Sequence, residues 1–147
     1  MRRVVAGVAA MGVAMLASCG GGGSDGDACN AVGVNPITTT WAVTGGEYNP
    51  PRYAGQIVVG RVGVALSARP VHANMLPSCV GKGVYSLGSD AAPLPAGLSL
   101  NAATGEISGT PTAMGDTNAG AAPVGAVRLT FPGLTSLPVL TRLAVEK

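Results

Sequence analysis

The sequence predicts an all-β protein with the architecture of an antiparallel β-sandwich. Short runs rich in β-branched residues recur along the chain and are separated by Gly, Pro and Asn turns. After the first 18 residues no helical period is present. Residues 94–112 place apolar positions on either side of a compact turn, which is the pattern of a β-hairpin. Seven or eight short strands of this kind are typical of two packed antiparallel sheets.

The chain begins with a segment typical of export. A basic start precedes an uncharged apolar run over residues 4–16, which is too short to span a bilayer as a helix. Leu16-Ala17-Ser18-Cys19 then resembles the lipobox of bacterial lipoproteins, whose cysteine is acylated and becomes the mature N-terminus. This resemblance implies a signal peptide over residues 1–18, a lipid on Cys19 and a place in the cell envelope, with Gly20 favouring the outer membrane. An ordinary secretory signal that leaves a free thiol is the alternative.

Residues 19–34 are rich in Gly, Ser, Asp and Asn and lack periodicity, which predicts a flexible tether before a domain over residues 35–147.

If Cys19 carries lipid, Cys29 and Cys79 remain, and an oxidising compartment favours a disulfide between them. Two free thiols or metal ligation are the alternatives. A zinc site needs about four Cys or His ligands, and the chain has 1 histidine besides its 3 cysteines.

The first half of the domain predicts three strand regions. Residues 37–43 are β-branched and aromatic and end at a Gly-Gly pair. A polar loop with two prolines follows over residues 48–53. Val-rich runs at 56–59 and 62–68 indicate two short strands or one bulged strand. Residues 70–77 then break the pattern with a proline at each end.

The second half contains the hairpin and closes with two further strands. Residues 84–87 form a short strand candidate, and Leu98 and Leu100 share one face of the next strand. The turn places Gly105 where a positive φ is needed, and Ile107 returns pointing inward. A loop over residues 114–123 separates the hairpin from the last strands, which are predicted at 124–131 and 139–145.

Residues 94–112 read LPAGLSLNAATGEISGTPT, and this stretch resembles the signature of the He_PIG family of immunoglobulin-like (Ig) domains. That family is related to dystroglycan-type cadherin-like domains. The resemblance extends loosely over residues 57–147, where Tyr85-Ser86-Leu87 is similar to the strand that precedes the signature. It implies an Ig-like β-sandwich whose hairpin is scaffold.

Charge gives no reason to expect nucleic acid or an anionic surface as a partner. The chain has 9 Lys and Arg, of which Arg2 and Arg3 lie in the predicted signal, so 7 remain to balance 7 Asp and Glu. A balanced mature chain lacks the basic field that attracts such partners.

No reaction centre is predicted. His72 falls in the 70–77 segment, and a Ser-His-Asp triad would need it to meet Asp90 or Asp116, without a Gly-x-Ser-x-Gly elbow to activate a serine. We interpret His72 as a solvated loop residue. Asp90, Glu106 and Asp116 are scattered along the chain, so paired acid catalysis is not expected. Calcium is not expected either, and Asp25, Asp27, Asp90 and Asp116 are interpreted as solvated. We therefore expect no enzyme activity, no metal and no cofactor.

Tyr48, Arg52, Tyr53 and Trp41 form the one cluster of residue types that often anchor protein or sugar contacts, and they are the candidate binding surface. Trp41 also suits the core of a sandwich. The sequence therefore predicts a non-enzymatic, lipid-anchored Ig-like module that acts in adhesion, protein binding or envelope structure. A small carbohydrate-binding module, or an accessory subunit of a secreted enzyme or surface assembly, is the alternative.

Overall fold

A computed structural model describes Cys29 and residues 37–50, 56–118, 125–133 and 136–147. Within these ranges the chain forms eleven short strands: β1 (Thr38–Thr44), β2 (Gly46–Asn49), β3 (Ile57–Arg61), β4 (Leu66–Ala73), β5 (Val84–Leu87), β6 (Leu98–Leu100), β7 (Ile107–Gly109), β8 (Gly115–Asp116), β9 (Val127–Thr130), β10 (Leu137–Leu140) and β11 (Arg142–Glu146). One 3-10 turn, Pro77–Cys79, joins β4 to β5. The predicted all-β, Ig-like fold is confirmed.

The described strands form three sheets. The first has the order β1-β4-β7-β6, the second β2-β3-β11-β8 and the third β10-β9-β5. Every pairing between them is antiparallel except that of β3 with β11, which is parallel. The parallel pair places the end of the chain beside its first half. Strand spacing alone predicted only antiparallel sheets.

One core joins all three sheets. Trp41 and Ile107 of the first sheet, Val58 and Leu143 of the second, and Leu129 of the third are all buried in a single apolar cluster. Alternate residues of β1 and β4 enter this core while their neighbours face outward, as the period of two requires. Burial of this apolar surface is the main term that stabilises the fold.

The first half of the domain is one long hairpin bent across two sheets. β1 pairs with β4 and β2 pairs with β3, so the continuous segment 38–49 runs against 57–73. The bend lies at Gly45, whose φ of 76° favours glycine and whose added Cβ would lie 1.8 Å from the carbonyl oxygen of Ala65. On the other arm of the hairpin, residues 62–65 form the turn between β3 and β4.

The last strand region is divided. The predicted strand over 139–145 is two strands, because β10 belongs to the third sheet and β11 to the second. Between them the backbone N–H groups of Thr141 and Arg142 both donate to the carbonyl oxygen of Gln56, at 3.1 Å each. These bonds hold the chain where it moves from one sheet to the other.

The structure corrects both predicted ends of β4. β4 continues through Pro70 to Ala73, because β7 pairs with it only as far as Ala68 and a proline is tolerated where one side of a strand has no ladder partner. The run predicted as a strand from residue 62 instead begins with a turn, and β4 starts at Leu66.

Tyr48 and Asp116 are also on strands rather than in loops. Tyr48 lies in β2 opposite Val58, and Asp116 lies in β8 opposite Ala144 of β11. Both strands are short and belong to the same sheet. Their sequences are polar and rich in glycine, so their pairing depends on tertiary contacts rather than on local propensity.

Candidate functional site

The disulfide predicted from the cysteine count is present. Cys29 and Cys79 are bonded to each other across 50 residues of chain, and both are buried. Cys79 ends the 3-10 turn after β4, so the bond fixes Cys29 against that turn. Cys19, the predicted lipidation site, lies outside the described residues.

The signature hairpin is formed by β6 and β7. Leu98 pairs with Gly109 and Leu100 with Ile107, and Ile107 is fully buried. In the turn, the side-chain carbonyl of Asn101 accepts hydrogen bonds from the backbone N–H groups of Ala103 and Thr104, at 2.9 and 3.1 Å. Such an Asx turn explains the Asn at the start of the loop.

The remaining signature residues fill internal positions. An added Cβ on Gly109 would lie 2.0 Å from the carbonyl oxygen of Gly97, so the two glycines permit a close backbone approach. Pro111 is buried, and its carbonyl accepts the N–H of Gly63 at 2.8 Å. The signature therefore specifies scaffold, as expected.

His72 is not the solvated loop residue that the sequence indicated. It lies on β4, where Nδ1 is 2.9 Å from the hydroxyl oxygen of Thr39 and Nε2 is 2.5 Å from that of Tyr85. Its ring stacks on Tyr85 with centroids 5.9 Å apart. Burial lowers the pKa of His72 and raises that of Tyr85. The two hydrogen bonds link β1, β4 and β5 and engage both nitrogens of the imidazole.

Asp116, which was expected to be solvated, and Glu106 each form an ion pair. Asp116 forms a bidentate ion pair with Arg142 of β11, and Arg142 lowers the pKa of the carboxyl group. Glu106 accepts a 2.8 Å hydrogen bond from the Ser67 hydroxyl and pairs with Arg69 at 3.2 Å. These contacts lower the pKa of Glu106, with the Ser67 bond the largest cause. Both carboxylates are used within the fold.

The candidate binding surface is only partly described, and Trp41 does not belong to it. Trp41 is 4% exposed and its indole N–H donates to the carbonyl oxygen of Val139 at 2.9 Å, so it is a core residue. Tyr48 is half-buried, its hydroxyl is buried without a hydrogen-bond partner, and burial raises its pKa. Arg52 and Tyr53 lie outside the described residues. The structure does not bring Trp41 and Tyr48 together on one exposed surface.

A groove lies between the edge of the first sheet and that of the third. Its volume is about 360 Å³, and its lining includes Ile37 and Thr40 on one side and Leu137 and Val139 on the other. Gln56 crosses the groove and donates to the carbonyl oxygen of Thr39 at 2.7 Å, while its own side-chain carbonyl is buried without a partner. Sequence patterns did not predict this groove because it depends on which strands form sheet edges.

Exposed apolar side chains mark a second feature that the sequence analysis missed. Leu76, Val80 and Val84 are 45, 67 and 55% exposed and lie on either side of Cys79. We call these three residues the disulfide-end patch. The sequence does show apolar residues at these positions between Pro, Ser and Gly, but it does not show whether their side chains are buried or exposed.

Metal and membrane features were searched among the described residues. In that part of the chain, His, Cys, Asp and Glu side chains do not come together in any group of three or more that could hold a metal ion. The same residues contain no helix of the length and apolarity needed to cross a membrane.

Comparison with known proteins identifies the domain. A search among curated proteins gives no match to the chain. The He_PIG family model, described as "Putative Ig domain", matches residues 31–124, which is more than half of the 147 residues. The match starts earlier than the resemblance seen in the sequence and ends before β9. The chain therefore belongs to this family of immunoglobulin-like domains.

Proposed function

We propose that this protein is a non-enzymatic Ig-like module anchored in the bacterial cell envelope by a lipid on Cys19, where it acts in adhesion, protein binding or envelope structure. The Cys29–Cys79 disulfide is the observation that carries the proposal. Structural disulfides persist in oxidising compartments such as the periplasm and the cell surface.

The cysteine pairing also supports the anchor. The chain has 3 cysteines, and two of them are bonded to each other. Cys19 is the remaining one, and it stands at the lipobox position after a segment typical of a signal peptide. A lipid on Cys19 would account for all three.

The contacts of the titratable residues support a binding role over a catalytic one. Both nitrogens of His72 are engaged between the sheets, and Asp116 and Glu106 are held by Arg142 and Arg69. A general base needs a nitrogen or oxygen that can reach a substrate. These groups instead join strands to one another.

Cys19→Ser tests the anchor in the full-length chain expressed in a bacterial host. The native chain is expected in the membrane fraction, with a mature N-terminal peptide whose mass includes acyl groups on Cys19. The variant is expected to lose both the added mass and the membrane association. A variant that stays processed and membrane-bound contradicts the anchor.

A photo-crosslinking residue at Thr40 or Glu47 tests the contact role in the same host. Both positions are exposed, and they lie on strands of different sheets, β1 and β2. A discrete adduct with an envelope protein at one position and not at the other is expected from a specific contact. Crosslinks to many proteins at both positions, or to none, contradict it.

A further inference from the structure

The disulfide-end patch surrounds the point where the N-terminal segment joins the domain. The backbone N–H of Cys79 donates to the carbonyl oxygen of Leu76 at 2.9 Å, and that of Lys82 donates to Cys79 at 3.1 Å. Leu76 and Val80 lie in these two turns, and both side chains are exposed. Val84 follows at the start of β5, the edge strand of the third sheet.

The chain on either side of the patch carries positive charge and no acids. From Tyr48 to Ser89 the sequence contains no Asp or Glu, while Lys82 lies between Val80 and Val84 and is exposed. Glu47 and Glu146 both line a cavity near the β3–β4 turn. Exposed apolar side chains beside a lysine, in a stretch of chain without acids, have the composition of a surface that contacts lipid headgroups.

Covalent geometry limits how far this patch can be from the anchor. Cys29 is ten positions after Cys19 along the chain, so the disulfide can be at most about 35 Å from the lipidated residue. A domain of this size is roughly 34 Å across. The far end of the domain could therefore face the bilayer only if the connecting segment were almost fully extended.

We propose that the disulfide-end patch contacts the surface of the lipid bilayer that holds the anchor, with Leu76, Val80 and Val84 at the headgroup boundary and Lys82 beside the phosphates. This inference rests on the proposed lipid anchor at Cys19. It assigns the domain an orientation, with the β3–β4 turn directed away from the membrane.

Brominated-lipid quenching of Val80→Trp tests the contact, and Val64→Trp is the matched control. Both positions are exposed valines in turns, and the eight residues of β4 between them span about 26 Å. The native Trp41 is buried and contributes the same background to both variants. The acylated full-length chains are placed on vesicles of phosphatidylethanolamine and phosphatidylglycerol with and without bromine.

Bromine is expected to reduce the added emission of Val80→Trp by about twofold, because the residue lies within the boundary region, and to leave that of Val64→Trp unchanged. Equal quenching of both variants, or no quenching of Val80→Trp on vesicles that carry the protein, overturns the orientation. A chain that is not acylated and does not float with vesicles overturns the anchor, and the orientation with it.

Hydrogen exchange of the native chain provides a second measurement without substitution. Amides of residues 80–82 are expected to exchange more slowly on vesicles than in detergent, whereas those of residues 62–64 are expected to be unchanged. If the amides of residues 80–82 exchange as fast on vesicles as in detergent while the chain stays bound to the vesicles, the contact is contradicted.

Discussion

Gly105 shows how one residue of the signature determines its turn. Its φ of 73° lies in the left-handed region, as the sequence predicted. The structure adds a packing reason, because a Cβ there would lie 2.6 Å from the ring of Tyr85 and 2.8 Å from Pro70. Two constraints therefore coincide at this position, and only the first was visible in the sequence.

Gly105→Ala and Gly105→Val are expected to lower the free energy of unfolding by about 2–4 kcal/mol, since the φ cost and the clash add. Gly81→Ala is the control, because Gly81 has a φ of 75° and nothing within 4 Å of an added Cβ. It should cost only about 1–2 kcal/mol. Denaturant melts of the variants measure the difference, and equal losses at Gly105 and Gly81 would exclude the clash.

His72 gives the domain a pH dependence that a solvated histidine would not. Because burial lowers its pKa in the folded state, the unfolded chain binds more protons between the folded pKa and the ordinary value of about 6.5. The stabilisation is present above the unfolded pKa and is lost as the pH falls through that window. One nitrogen of the neutral ring accepts a hydrogen bond from a hydroxyl, whereas both nitrogens of the imidazolium donate, so protonation reverses the bond to Thr39 or to Tyr85.

The melting temperature of the native chain is expected to fall between pH 7.5 and pH 5, and that of His72→Gln to change less. Asp116 and Glu106 have lowered pKa values, so their stabilisation is lost only at more acidic pH, below their unfolded values near 4. Calorimetry above pH 5 therefore isolates the histidine. Parallel curves for the two proteins would contradict this assignment.

At the scale of elements, the sequence predicted strands where the residues themselves favour them. The runs at 37–43 and 84–87 and the signature hairpin match β1, β5 and the β6–β7 pair closely. These segments combine β-branched or apolar alternation with turn residues at fixed offsets.

Elements whose existence depends on a distant partner were not predictable. β8 has only Gly115 and Asp116, and it forms because β11 lies beside it and Arg142 binds the carboxylate. β4 passes through Pro70, which local rules treat as a break. The groove beside Gln56 likewise follows from sheet order, which strand spacing does not determine.

Thr117 extends the contact of β8 with β11, and Thr117→Val tests its contribution. Its hydroxyl oxygen accepts the buried N–H of Leu143 at 2.9 Å, and its own N–H donates to the carbonyl of Leu143 at 2.9 Å. The valine keeps the shape but leaves the Leu143 N–H without an acceptor. We expect a loss of about 1–3 kcal/mol in denaturant melts.

Thr112→Val is the matched control for Thr117→Val. Thr112 is exposed, and its hydroxyl donates to the carbonyl of Ala96 at 3.3 Å. Its loss should cost within about 0.5 kcal/mol, as for most surface positions. Equal losses of unfolding free energy in the two variants would show that the buried hydroxyl of Thr117 stabilises the fold no more than the exposed hydroxyl of Thr112.

At the scale of the whole molecule, the disulfide constrains the unfolded chain. A closed loop of 50 residues lowers the entropy of the unfolded state by an amount worth about 4 kcal/mol at 25 °C. Cys29→Ala with Cys79→Ala is expected to lose stability of this order in denaturant melts. Cys19→Ser should leave stability unchanged, and a double variant as stable as the native chain would contradict the constraint.

The domain is also larger than its family match. The match ends at residue 124, yet β9 is the central strand of the third sheet and β11 lies between β3 and β8. These strands supply Leu129, Leu143 and other buried side chains to the core. The family match thus identifies residues 31–124, and the closing strands, which the sequence predicted at 124–131 and 139–145, complete the domain outside the match.

The parallel pairing of β3 with β11 has a consequence for the order in which the protein can fold during synthesis. Arg142 pairs with Ile57 across 85 residues, so β11 is synthesised well after β3. Until it arrives, β3 lacks one of its two neighbours and the long hairpin presents an open edge. Completion of the second sheet therefore waits until β11 has been synthesised, although the long hairpin that contains β3 is available much earlier.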